Sequence, residues 1–228
     1  MVKTVKAISV MRLGELLGGT RRVRRRALIQ AILDDHDNFR MYYHEALSVI
    51  KKGLRTIDNE EERLAFWADE ILKIESLREV LDLDSREYNR LTANIKAVEI
   101  VQHSGAFSVK AIEFLPKTTY RRSYENFDVT LSPDLVFRTS KGLAGIKMRA
   151  SNETLASEHQ KAITAMMVCY LEEFFPGEKI DYASCRLFDL LAGQSVKATK
   201  NNKKALGDLD ELCREEIAPQ INKKLKTN

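Results

Sequence analysis

The spacing of apolar residues changes part-way along the chain, and that change restricts the available folds more than any other feature. From residue 20 to 103 the pattern is helical, with very little Gly or Pro. In DNFRMYYHEALSVIKKGL, residues Phe39, Tyr43, Ala46, Leu47, Ile50 and Leu54 recur at three- and four-residue steps, along one side of a helix. Asp37 or Asn38 suits its start and Gly53 its end. Asp58, with Glu61 in capping-box spacing, opens a second helix whose buried face is Leu64, Trp67, Ile71 and Ile74. A third runs from Asp84 or Ser85 to about His103, with Tyr88, Leu91, Ile95 and Val98 on one side.

Beyond residue 104 the period falls to two. NFDVTL alternates Phe127, Val129 and Leu131 with polar neighbours, as a half-buried strand does. DLVFRT and LAGIKMRA flank SKG, whose Gly142 suits a tight turn. Helical spacing returns in Leu155, Ala162, Met166, Tyr170 and Phe174, and Pro176 and Gly177 stop it. IDYASCRLFDL and AGQSVKA read as two more strands, and a last helix covers Leu206 to about Ile221. The expected class is α+β. A helical region, residues 1–103, precedes a small mixed sheet flanked by helices, residues 104–228, and the last helix of the first region packs on that sheet.

Several function classes lose support at once. No apolar run approaches the roughly 20 residues that span a bilayer, and Arg12 and Glu15 interrupt the first apolar stretch, which argues against a secretory signal. No membrane partner is expected. Cys169, Cys185 and Cys213 are far apart and form no CxxC pair, so free thiols in a reducing cytoplasm are expected. His36, His44, His103 and His159 lack zinc-site spacing. Glu158, His159 and Gln160 are expected in the exposed first turn of a helix. Phosphate-loop, dinucleotide and nucleophile-elbow motifs are missing from the sequence.

The net charge of +4 is unevenly spread, with residues 1–57 basic and 58–115 acidic. Arg21, Arg22, Arg24, Arg25 and Arg26 are its densest cluster. On a helix they would surround its start and serve phosphate contacts, which makes DNA or RNA a candidate partner. The plain alternative is a solvated segment docked on Glu60, Glu61 and Glu62.

The stretch SPDLVFRTSKGLAGIKMRAS, residues 132–151, carries the chemistry. With Pro133-Asp134, Lys147 and the helix at 155–175, it resembles the core of the PD-(D/E)XK nuclease-like superfamily, over roughly residues 90–200. The resemblance implies a restriction-endonuclease-like core, with Asp134 as a metal ligand and Lys147 positioning or deprotonating a water. It also implies Mg²⁺ as cofactor if the site is active, held by oxygen ligands. Active relatives place a second acid two residues before the Lys, where Gly145 stands here. Glu113, Glu99 or Glu158 would then supply it, Glu113 as a metal ligand and Glu158 as a catalytic group. Without the resemblance, Asp134 is a strand-start residue bonding a turn amide, and Lys147 is the solvent side of a sheet. RRVRRRALIQAILDDHDNFRMYYHEALSVI is similar in cadence to uncharacterised bacterial proteins that also lack the second acid. By analogy alone, defence against foreign DNA fits such proteins. The expected function is a nucleic-acid-associated protein with a degenerate nuclease-like core, binding DNA, RNA or a partner without cutting. The alternatives are an active Mg²⁺-dependent nuclease and a protein-interaction module.

Overall fold

A computed structural model of the chain describes residues 6–11, 13, 42–80, 83–104, 107–150, 155–201 and 203–227. Its elements, in order, are β1 (Lys6–Ser9), α1 (His44–Thr56), α2 (Glu60–Val80), α3 (Ser85–Ser104), β2 (Glu113–Phe114), β3 (Tyr120–Tyr124), β4 (Phe127–Leu131), β5 (Leu135–Thr139), β6 (Gly142–Arg149), α4 (Ser157–Phe174), β7 (Arg186–Asp189), β8 (Gln194–Lys197), α5 (Lys203–Glu211), a π-helical stretch (Leu212–Ile217) and α6 (Ala218–Thr227). The class is α+β, as its periodicities predict. Among the described residues no helix is long and apolar enough to cross a membrane.

The strands form two sheets, not the one expected. The first has the order β1-β4-β3, and the second β2-β5-β6-β7-β8. Pro133 lies between β4 and β5 and has no N–H to give a ladder. The chain leaves the first sheet there, and Asp134 enters the second by donating its N–H to the Ile146 carbonyl at 2.7 Å. β1 pairs parallel with β4, Ile8 opposite Val129. Lys6–Ser9, counted above with the helical region, therefore belongs to a sheet, because its partner lies far along the chain. One buried apolar cluster runs through the described residues from Ile8 to Ile221.

α4 is the hub. It packs on β6, β7 and β8 of the second sheet, on β4 of the first, and on α5. Its buried residues accordingly include Ala162, Ile163, Ala165, Met166, Met167, Tyr170 and Leu171, which lie on several sides of the helix. It also provides the crossover that the parallel pair β6–β7 requires.

Three helix boundaries shift for local reasons. α1 starts later than expected, with Tyr43 at its N-cap. Asn59, rather than Asp58, caps α2, its Oδ1 accepting the N–H groups of Glu61 and Glu62 at 2.8 and 3.2 Å. Gly53 does not end α1 but lies buried within it, since a Cβ there would come 2.4 Å from Trp67 Nε1. The glycine is a point of close helix contact. Asp84 caps α3 as expected, accepting the Glu87 N–H at 2.8 Å. Tyr88, however, is half exposed and lies under the Arg78 guanidinium, 5.3 Å from the ring centre. The C-terminal helix widens into its π-helical stretch just before Pro219, where the Ala218 N–H bonds the Cys213 carbonyl. A proline ring clashes with the carbonyl four residues back, and the wider turn removes that conflict.

Two buried polar residues fasten the elements. Asn94 of α3 accepts the Ala46 N–H at 2.8 Å and donates to the Tyr42 and Arg90 carbonyls at 2.7 and 2.8 Å. It thus caps the first turn of α1 from a neighbouring helix. His159 is fully buried, against the expected exposed turn, and its Nε2–H donates to the Val10 carbonyl at 2.8 Å. Nδ1 is buried and has no hydrogen-bond partner among the described residues. Burial first, and the nearby Arg149 guanidinium, push its pKa down to about 4 against the pull of the Val10 bond.

The unfolded chain takes up this proton near pH ~6.5, whereas the folded chain resists it until about pH 4. Stability present above the higher value should therefore fall by about 3 kcal/mol as pH drops through that window. Urea midpoints of wild type and His159→Gln, measured from neutral pH downward, check this. The variant should show the shallower pH dependence, and parallel curves would refute the assignment.

Candidate functional site

In the β5–β6 pair, Leu135 faces Ile146 and Val136 faces Gly145. One step further in the same register sets Asp134 opposite Lys147, so both side chains leave the same face. Lys147 Nζ stands 3.0 Å from Asp134 Oδ2. That oxygen also accepts the Met148 N–H at 2.8 Å, extending the ladder beyond its last main-chain pair. Lys51 of α1 brings its Nζ to 3.6 Å from Oδ1. Lys117, in the link between β2 and β3, donates to the Asp134 main-chain carbonyl at 3.3 Å.

Lys147, Lys51 and Lys117 thus share one neighbourhood with the Asp134 carboxylate, and the charge of Arg55 also acts on Lys117. Arg55 follows Lys51 by one helical turn on α1. Although Lys117 is exposed as a residue, partial burial of its ammonium lowers its pKa, opposed by Asp134 and reinforced by Lys51, Lys147 and Arg55.

The space beside position 145, where the resemblance would expect an acid, is filled. A Cβ on Gly145 would lie 2.5 Å from Met167 Sδ and 3.1 Å from its Cγ, and Met167 is fully buried. The glycine lets α4 close onto the sheet at the point where a carboxylate would project.

The other candidate acids lie on other elements. Glu113 pairs across the β2–β5 ladder with Arg138, Oε2 to Nε 3.4 Å, and Arg138 also binds Glu178 at 2.8 Å. Four residues of strand separate Arg138 from Asp134, on the order of 13 Å, so Glu113 is not brought to Asp134. Glu99 and Glu158 are exposed on α3 and α4. Among the described residues no three His, Cys, Asp or Glu side chains converge to hold a metal ion.

These residues do not fit a divalent cation. Mg²⁺ needs several oxygen ligands with free lone pairs. Here the one carboxylate already receives an amide proton and an ammonium on Oδ2, and a second ammonium approaches Oδ1. The surrounding positive charge would repel a metal and attract an anion. Sequence reasoning pairs Asp134 with Lys147 but misses Lys51, Lys117 and Arg55. The i, i+4 spacing of Lys51 and Arg55 is visible in the sequence, but nothing local ties that pair to Asp134.

The arginines at 21, 22, 24, 25 and 26, with His36, lie outside the described residues. A second polar cluster is structural in form. Arg122 of β3 grips Asp210 of α5 with two bonds of 2.7 and 2.6 Å, and the Tyr124 hydroxyl donates to the same carboxylate at 2.6 Å.

No family model matches this chain, and no curated protein matches it either.

Proposed function

We propose that this chain is a nucleic-acid-associated protein with a nuclease-like core that binds without cutting. What carries the reading is position 145. The place where a nuclease of the resembled type holds its second metal ligand is occupied by Met167. The remaining carboxylate, Asp134, has Oδ2 committed to Lys147 and Met148, and the Lys51 ammonium stands 3.6 Å from its Oδ1. Catalysis of phosphodiester hydrolysis by a metal depends on a fixed, polarising cation, and here one engaged carboxylate stands in place of the necessary ligand set. The helical region and the basic N-terminal sequence remain for binding, with DNA and RNA both within reach of the same chemistry.

The test is incubation of the purified chain with single- and double-stranded DNA and with RNA, in Mg²⁺ and in Mn²⁺. No cleavage above background is expected in either metal. Cleavage abolished by both Asp134→Ala and Lys147→Ala would replace this reading with an active nuclease.

A further inference from the structure

We infer that Lys51, Lys117 and Arg55 form a binding site for the phosphate backbone of nucleic acid, on the spot where the resembled enzymes hold metal. This deepens the function proposed above and rests on it. The cations of the cluster are not equally engaged. Lys147 is committed to Asp134 at 3.0 Å. Among the described residues Lys117 bonds a main-chain carbonyl at 3.3 Å, and an ammonium carries three protons. Lys51 lies 3.6 Å from Asp134 Oδ1, beyond good hydrogen-bond distance, so among the described residues that contact does not commit its protons. Arg55 is exposed one turn from Lys51 on α1, and its charge acts on Lys117.

Cations spread over a turn of α1 and the β2–β3 link suit a polymer of several phosphates better than one small anion. Asp134 then has a defined part. It holds Lys147 and the Met148 amide in place and offsets part of the charge, so that the cluster survives without a ligand. Its carboxylate is a positioning group, and it opposes the anion that the cluster attracts.

The test uses the full-length protein and a short labelled oligonucleotide, titrated at several salt concentrations. Lys51→Gln/Lys117→Gln should weaken binding about tenfold at low salt and flatten the log–log salt dependence by about two, one unit for each phosphate that is no longer neutralised. Wild-type binding with an unchanged affinity and slope in the double variant would overturn this site and leave the proposed function standing. A wild type that binds no nucleic acid at low salt would overturn both. Asp134→Asn gives an independent check, because its side-chain carbonyl can still accept the Met148 amide. That variant should bind more tightly, the reverse of what loss of a metal ligand produces. Unchanged or weaker binding by folded Asp134→Asn would count against the site, and circular dichroism confirms that each variant is folded.

Discussion

Gly145→Glu should restore no cleavage and should destabilise the fold by about 4 kcal/mol. The substitution supplies the acid that the proposed nuclease likeness would place two residues before Lys147. Its Cβ, however, meets the Met167 thioether at 2.5 Å within a closed core. Overpacking at such a point costs about 1–3 kcal/mol. A carboxylate buried beside apolar atoms, with the nearest ammonium already paired to Asp134, costs about as much again or more. Urea unfolding of the variant reads the sum. Adding Met167→Ala tests the cause, since removing the obstructing side chain should make the double variant more stable than the two single costs predict, by about 1 kcal/mol or more. Strict additivity would mean that Met167 is not what fills the position.

Gly142→Ala should cost about 3 kcal/mol or more, from two sources that act together. Gly142 has φ +140°, a conformation that a residue with a Cβ rarely adopts. The added methyl would also lie 2.2 Å from the Lys179 main-chain oxygen and 2.8 Å from its carbon. Backbone cannot swing aside as a side-chain tip can. That same oxygen accepts the Leu143 N–H at 2.7 Å, and the Leu143 carbonyl accepts the Asp181 N–H at 2.8 Å. Moving residue 179 breaks this bridge, which joins the start of β6 to the segment leading into β7. Thermal and urea midpoints check the expectation, and a loss below about 1 kcal/mol would contradict it.

Much of the fold is legible in the sequence because its signals are local. Phe127, Val129 and Leu131 alternate along β4, and all three are buried. Trp67, Ile71 and Ile74 mark the buried face of α2 by spacing alone. What escapes depends on partners distant in sequence. β1 is four residues long and exists through its pairing with β4. β3, YRRSY, is an edge strand too polar to announce itself, and β2 has only two residues. Gly53 reads as a stop signal because a glycine says only that a Cβ is missing, not which neighbour needs the space. The site divides along the same line. Asp134 and Lys147 are joined by a short hairpin, so their meeting follows from register. Lys51 and Lys117 reach the same point through helix docking and a loop, which no spacing rule encodes.

The Asn94 fastening makes the helical region more than an attachment to the sheets. Asn94 ties the first turn of α1 to α3 through the Ala46 amide and the Tyr42 carbonyl. α1 in turn delivers Lys51 to Asp134. The anion-attracting cluster is therefore assembled from segments that meet only when the whole chain is in place, and the unfolded ensemble contains no version of it. Whatever binds there draws its free energy partly from completed tertiary structure, so ligand and fold are thermodynamically linked. A fragment made of the sheets alone would retain the Asp134–Lys147 pair but not the surface built around it. In such a molecule, affinity measures assembly.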